Sequence, residues 1–143
     1  HCLVFYGAYA ANSMRLEKGY RGWGSDLTTE RSPLEAGLTP FIRPELRTDL
    51  KHAWDMVLLE IEAGEVDPFY AHGLWQGHRS VGIVTSGAYG HRTGKVLALA
   101  YLRDPNARGN LTVSILGQQR RATVLPHAPF DPDNTRSKAG AHT

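Results

Sequence analysis

Apolar residues recur at a helical spacing near the amino terminus of the 143-residue chain. They fall at Val4, Ala8, Ala11 and then Met14 or Leu16. This spacing is close to the period of an α-helix, and Lys18-Gly19 adds a basic last turn followed by a glycine stop. The pattern predicts a first helix that ends at Gly19.

A second helical pattern begins at Pro44-Glu45, which places a proline in the first turn and a carboxylate near the positive end of the helix dipole. Leu46, Leu50 and Trp54 then recur four residues apart. The pattern predicts a helix over roughly residues 44 to 54. Between the two helices, residues 20 to 33 are rich in glycine, serine, aspartate and threonine, which favours an ordered loop.

The hydrophobic period then changes to that of β-strands. Runs of β-branched or apolar residues occupy 56–61, 80–85, 95–101 and 111–116, and 119–125 completes a hairpin across Gly117-Gln118. Several short strands in succession favour a small antiparallel barrel. The predicted fold class is α+β and mainly β, with a helix-and-loop portion at 1–50, a barrel at 51–132 and a flexible tail at 133–143.

Composition excludes several classes of protein. The net charge of +2 from 16 basic and 14 acidic residues is too weak for a nucleic-acid footprint. We find no apolar run of membrane-spanning length and no basic leader typical of a secretory signal. Cys2 is the only cysteine, which excludes an internal disulfide and suits a reducing compartment. We expect a soluble, unexported protein with neither nucleic acid nor membrane as a partner.

Four segments, in order, carry a resemblance to a known family. They are Asn12 to Arg21, Trp23 to Leu27, Ser32 to Leu38 and Val81 to Gly90. In the same order, they resemble four segments of the glycine-cleavage T-protein family. These are S-L-R-L-E-K-G-Y-R, then W-G followed by D, then T-P-L-E-A-G-L, and finally V-G-x-V-T-S-G-x-Y-G. The similarity is to the T-protein-like C-terminal part of dimethylglycine and sarcosine dehydrogenases. Two short motifs further along the chain, Tyr101-Leu102 and Phe130 to Pro132, also match the sequence pattern of this family.

The resemblance implies a unit that binds tetrahydrofolate and passes to it a methyl-derived carbon or an aminomethyl group. It implies a C-terminal antiparallel β-barrel preceded by a remnant of the folate-binding domain. The chain starts without methionine in the apolar segment His1 to Tyr6, so we expect a fragment. The resemblance places the family's catalytic aspartate and the FAD-binding part upstream. We therefore expect no catalytic residue here and no turnover by the chain alone.

The resemblance also implies a role for Glu17, which matches the family's glutamate that accepts hydrogen bonds from the pterin ring of folate. A carboxylate offers two acceptors side by side to a pair of ring N–H donors. The alternative is a surface glutamate paired with Arg21 one turn on, worth about 0.3–0.5 kcal/mol. Arg15 lies on another face of the helix, and we expect it to form a structural ion pair with Asp26.

Three further residues are candidates for folate binding. Tyr20 and Trp23 could stack on a pterin, or they could lock the glycine-rich loop onto the core. Arg43 is, with Arg47, the nearest basic candidate for the folate tail. The seven histidines form no H-x-H or H-x-x-x-H pair, so no metal site is predicted.

Ser86 superficially suggests a nucleophile, but the five-residue G-x-S-x-G elbow is absent. We interpret Thr85-Ser86-Gly87 as a strand-ending turn instead.

Two functions stay open at the level of the sequence. The first is a tetrahydrofolate-binding, aminomethyltransferase-like part of an oxidative N-demethylase, acting on substrates such as dimethylglycine or sarcosine. The alternative is a non-catalytic β-barrel module that mediates assembly and needs a partner chain. We expect a second copy or a partner chain to cover apolar surface on the N-terminal segment. The expected location is cytoplasmic, or the mitochondrial matrix in a eukaryote.

Overall fold

The computed structural model describes residues 6–50, 52–64, 66, 68 and 70–139, without the side chains of Ser137 and Ala139. Within these ranges, antiparallel strands close into a barrel in the order β1-β4-β3-β2-β5-β6. The strands are β1 (Asp55–Ile61), β2 (Gly73–Gln76), β3 (Arg79–Gly90), β4 (Lys95–Leu102), β5 (Leu111–Ile115) and β6 (Gln118–Leu125). The predicted fold class, mainly β with an antiparallel barrel, is confirmed.

The barrel interior is filled by the alternating side chains of its strands. In β1, Val57, Leu59 and Ile61 are buried while their neighbours are half-buried, as a strand with one face in the core requires. Strand β4 differs, because every position from 96 to 102 is buried. Its outer face is covered by Leu16 of the helix, which packs with Leu97 and Leu99 in a second apolar cluster.

The helix that covers β4 is α1 (Ala8–Glu17). It ends where predicted, because Gly19 adopts a φ of +66°, a conformation that glycine reaches at little cost. The amide of Tyr20 then donates to the carbonyl of Arg15 at 2.8 Å and completes the C-terminal cap. Residues 1–5, in which the predicted helix began, lie outside the described residues.

The predicted helix over 44 to 54 is wrong, and two short 3₁₀ turns, Thr39–Phe41 and Pro44–Leu46, occur in this region. Long-range hydrogen bonds to Glu35 explain the difference. The amide of Ala53 donates to its Oε1 at 2.8 Å, and the amide of Met56 donates to its carbonyl at 2.9 Å. These bonds hold the chain extended as it enters β1 and override the helical periodicity.

The predicted turn at Thr85-Ser86-Gly87 is also wrong, because β3 continues through it to Gly90. The register with β4 shifts between Val84 and Ser86, which places a β-bulge at Thr85. The hairpin between β5 and β6 turns across Leu116-Gly117, both at positive φ, one residue earlier than predicted.

Two further elements were not predicted from the sequence. Strand β2 has only four residues and no apolar run, so its sequence signal is weak. Within the predicted tail, a short helix α2 (Thr135–Ala139) follows Asp131, whose Oδ1 accepts a hydrogen bond from the amide of Thr135 at 2.8 Å.

Candidate functional site

Buried polar side chains lie where α1 and the loop after it meet strand β3. We call this set the polar seam, and it comprises Ser13, Glu17, Asp26, Thr85 and Ser86. Buried polar groups are normally hydrogen-bonded, and each member of the seam has a partner on the opposing element. Ser13, for example, donates to the carbonyl of Tyr89 at 2.7 Å. The seam brings together three of the sequence segments that carry the family resemblance.

Glu17 lies at the end of the seam beneath the β3–β4 turn and is 3% exposed. Its Oε1 accepts hydrogen bonds from the amides of Arg92 and Thr93, both at 2.8 Å, and from the Thr93 hydroxyl at 3.1 Å. In the described part of the chain, Oε2 accepts none. The carboxylate is anchored by one oxygen, and the other is unused.

Gly90 makes room for this carboxylate. A Cβ atom at position 90 would lie 2.8 Å from Glu17 Oε1 and 2.6 Å from Thr93 Oγ1. Both distances are shorter than normal contacts to a Cβ atom allow. The last glycine of the V-G-x-V-T-S-G-x-Y-G segment is therefore needed for the approach of Glu17.

Asp26 is fully buried and forms the centre of the seam. Its Oδ1 accepts hydrogen bonds from Thr85 at 2.5 Å and Ser86 at 2.6 Å. Its Oδ2 accepts from Arg15 at 2.6 Å and from the amide of Gly22 at 2.8 Å. The expected Arg15–Asp26 ion pair is confirmed. Because both oxygens are satisfied by the protein, Asp26 serves to fix the loop on the barrel.

Two titratable groups near the seam are perturbed by burial. Burial raises the pKa of Tyr101 to about 12, and the Arg31 guanidinium opposes this shift. The Tyr101 hydroxyl donates to the main-chain carbonyl of Asp26 at 2.8 Å. Burial also lowers the pKa of Arg21, which donates to carbonyls of Ala36 and Gly19. The alternative interpretation, a surface pair of Glu17 and Arg21, is wrong, because Glu17 is buried and bonded to the β3–β4 turn.

The other three candidate residues lie on the surface and are not hydrogen-bond partners of Glu17. Tyr20 is 52% exposed and donates to Asn134 Oδ1 at 3.1 Å. Trp23 is 78% exposed and lines a small cleft of about 100 Å³. The Arg43 side chain is 76% exposed and lies 3.9 Å from Glu45. Neither aromatic ring is buried in the core, so Asp26, rather than Trp23, holds the loop in place.

Apart from the Arg15–Asp26 pair, sequence reasoning missed the partners of the seam, and it missed one neighbouring motif. Ser32 and Glu35 form a reciprocal pair, in which the Ser32 amide donates to Glu35 Oε2 at 2.9 Å and the Glu35 amide donates to Ser32 Oγ at 3.2 Å. The S-x-x-E spacing is the signature of such a capping box and could have revealed it. The hydroxyls of Thr85 and Ser86 gave no comparable signal, because their partner lies 59 and 60 residues away.

The described ranges contain neither a metal-binding cluster nor a membrane-spanning helix. No group of three or more histidine, cysteine, aspartate or glutamate residues is arranged there to hold a metal ion. The helices in the same ranges are too short or too polar to cross a membrane.

Comparison with known proteins identifies the family. Residues 55–131 match the model of the glycine cleavage T-protein C-terminal barrel domain, and residues 1–45 match that of the GCVT N-terminal domain. The chain belongs to the glycine cleavage T-protein family. A solved structure, the glycine cleavage system aminomethyltransferase T from Bartonella henselae, has the same fold. It matches with a TM-score of 0.70 at 21% identity, over 85% of this chain and 38% of that one.

Curated relatives include two dehydrogenases and a transferase. Mitochondrial sarcosine dehydrogenase of Mus musculus is 34% identical over 96% of this chain, and mitochondrial dimethylglycine dehydrogenase of Rattus norvegicus is 33% identical over 92%. Aminomethyltransferase of Thermus thermophilus is 32% identical over 88%. The chain spans 17% of the length of each dehydrogenase and 37% of that of the transferase.

Proposed function

We propose that this chain supplies the pterin-binding carboxylate of a tetrahydrofolate-dependent one-carbon transfer unit. The observation that carries the proposal is the half-used carboxylate of Glu17. One of its oxygens is anchored by three hydrogen bonds, and the other has no hydrogen-bond partner in the described part of the chain. An acceptor held in one orientation binds a ligand N–H at a low cost in side-chain entropy.

The geometry refines how a pterin would be bound. Because Oε1 is occupied by the β3–β4 turn, the ring would donate to Oε2 alone rather than to two oxygens side by side. A charged acceptor still makes a stronger hydrogen bond than a neutral one. Tetrahydrofolate, when bound, accepts the one-carbon unit. The contribution of this chain is to hold and orient the pterin.

The relatives indicate the reaction in which such a unit would take part. Two of them are named for the oxidation of sarcosine and of dimethylglycine, and a third is an aminomethyltransferase. We propose an N-methylated amino acid as the source of the carbon, with FAD bound outside these 143 residues. The proposed location is the mitochondrial matrix if the source is a eukaryote, as the names of the dehydrogenases suggest.

The test is a calorimetric titration in which tetrahydrofolate is added to the full encoded polypeptide. The affinity of the wild type is compared with that of Glu17→Gln. A glutamine can keep its amide oxygen at the Oε1 position, which preserves the bonds to Arg92 and Thr93, while its NH₂ group replaces Oε2. The fold should survive, and binding should weaken by about 1–3 kcal/mol because a pterin N–H then faces a donor.

Glu30→Gln is the matched control, since it removes the same charge from an exposed position in the loop. It should bind like the wild type. Equal affinities for wild type and Glu17→Gln, or no measurable binding by the wild type, would refute the proposal.

A second candidate function, assembly with another chain, is favoured by a different observation. Large apolar side chains are exposed on the segment before the barrel, namely Tyr6, Tyr9, Met14, Trp23 and Phe41. Exposed apolar surface of this kind usually marks an interface. Light scattering after size exclusion should show that the wild type forms an assembly. The double variant Tyr9→Ser and Phe41→Ser should dissociate it, whereas Leu116→Ser, a control at a similarly exposed position, should leave it intact. A wild type that is monomeric at all concentrations contradicts assembly with itself.

A further inference from the structure

A polar cleft opens far from Glu17, at the end of the barrel where β1 begins and β4 ends. Its volume is about 430 Å³. It is lined by Arg31, Trp54, Arg103 and residues 80–83 of strand β3. Gly82 lines the cleft, and Gly90, on the same strand, lies against Glu17. Strand β3 advances by about 25 Å between these two glycines, so a pterin bound at Glu17 would not reach the cleft.

Two guanidinium groups share one aromatic ring in the cleft. The central carbon of Arg31 lies 4.2 Å from the centroid of Trp54, and that of Arg103 lies 4.8 Å from the same centroid. Contact with the ring fixes the position of each guanidinium through its face. The N–H donors at its edges stay available, and each guanidinium carries five of them.

No carboxylate neutralises this pair within the described residues. Arg15, Arg79 and Arg108, in contrast, each lie within 4.0 Å of an aspartate there. The side chains of Arg31 and Arg103 likewise have no hydrogen-bond acceptor in the same part of the chain, although Arg31 is only partly exposed. The two guanidinium groups lie 4.2 and 4.8 Å from the centroid of the same ring. Like charges on one ring repel each other, and a bound anion would relieve that repulsion.

We propose that this cleft binds a small oxyanion ligand, one whose carboxylate or phosphate oxygens accept hydrogen bonds from Arg31 and Arg103. Guanidinium groups match the planar spacing of oxygens in both groups, and charge-assisted hydrogen bonds are the strong ones. Trp54 is a positioning residue, because it holds the two cations at the mouth of one cleft. The proposal is independent of the folate site at Glu17.

The test follows backbone and arginine side-chain resonances by NMR during titration with two probes, sodium succinate and sodium phosphate. Sodium chloride at equal ionic strength is the reference for screening. At least one probe should produce saturable shifts at Arg31, Trp54 and Arg103. Saturation by succinate identifies a carboxylate ligand, and saturation by phosphate identifies a phosphate ligand. Shifts no different from those in chloride overturn the proposal.

Two variants make the assignment specific. Arg31→Gln and Arg103→Gln should each weaken binding about tenfold or more, because each removes one set of charge-assisted bonds. Arg136→Gln is the matched control, since Arg136 also stacks on a ring, that of Phe130 at 5.1 Å. It should leave the affinity unchanged. Equal losses in all three variants would show a non-specific effect of net charge and would also overturn the site.

Discussion

Glu17 and Thr93 are joined by two hydrogen bonds to a single carboxylate oxygen, 2.8 Å from the Thr93 amide and 3.1 Å from its hydroxyl. The residues are 76 positions apart in the chain. Their contact means that the helix bearing the candidate pterin acceptor and the turn closing β3 and β4 form one rigid unit. Any ligand that binds Glu17 therefore binds to a group whose orientation is fixed by the barrel.

Asp26→Asn should destabilise the fold strongly. The substitution keeps the size of the side chain but removes a buried charge and places an NH₂ group against donors from Arg15, Thr85 or Ser86. Removing one partner of a buried ion pair costs about 3–5 kcal/mol of folding stability. Because Arg15 is partly exposed, the expected loss lies near the lower end of this range. Urea unfolding monitored by tryptophan fluorescence measures it. The control is Glu45→Gln, at an exposed position, which should change the free energy of unfolding by less than about 0.5 kcal/mol. If Asp26→Asn costs as little as this control, Asp26 is not the centre of the seam.

Gly90→Ala should displace the carboxylate of Glu17. The added methyl group would meet Glu17 Oε1 at 2.8 Å and Thr93 Oγ1 at 2.6 Å, so side chains must move. Overpacking of this kind costs about 1–3 kcal/mol. Thermal unfolding should show the loss, and folate binding should weaken in parallel. Gly109→Ala is the control, because a Cβ atom there meets nothing within 4 Å. If the two variants are equally stable, Gly90 does not make room for Glu17.

Stability should fall at alkaline pH through Tyr101. Burial raises the pKa of this hydroxyl from 10.0 to about 12, so folding favours its neutral form. The contribution is fully present below pH 10.0 and is lost as the pH rises through about 12. Ultraviolet absorbance of tyrosinate should show an ionisation near pH 12 that Tyr101→Phe lacks. Identical titration curves for the two proteins would contradict the assignment.

Acid should weaken the contact between the C-terminal segment and α1. Hydrogen bonds from Thr135 and Lys18 hold the pKa of Asp131 near 2, below its usual 3.8. The stabilisation is therefore present above pH 3.8 and is lost as the pH falls towards 2. The difference in Tm between wild type and Asp131→Asn should shrink over this range and vanish below it. A difference that stays constant would mean that the Asp131 carboxylate makes no net contribution to stability.

The sequence allowed the barrel to be predicted because its strands are apolar runs separated by turn residues, and a run such as Lys95 to Tyr101 has few other interpretations. The Arg15–Asp26 pair was also predictable, since the two residues are 11 positions apart and of opposite charge. Local pattern carried enough information in both cases.

Local pattern failed where distant residues decide the conformation. Residues 44 to 54 have helical periodicity, but Glu35 binds the end of the segment in extended form. Gly87 resembles a turn glycine, yet it lies within β3, where an added Cβ atom would be 2.3 Å from Pro68. The acceptor role of Glu17 towards Thr93 could not be predicted either, because nothing in the sequence indicates that a turn 76 residues away folds onto the helix.

Residues 86–90 of strand β3 pair with β4 along one edge, and on the other edge they accept hydrogen bonds from the helix rather than from a strand. Strand β2 pairs with residues 79–83 of β3, while Asn12 and Ser13 donate to the carbonyls of Gly87 and Tyr89. A polypeptide shortened to residues 55–131 would lose this cover and present an open strand edge to solvent. Such an edge recruits strands from neighbouring molecules, so the shortened barrel should accumulate as aggregates unless α1 is supplied as a separate peptide.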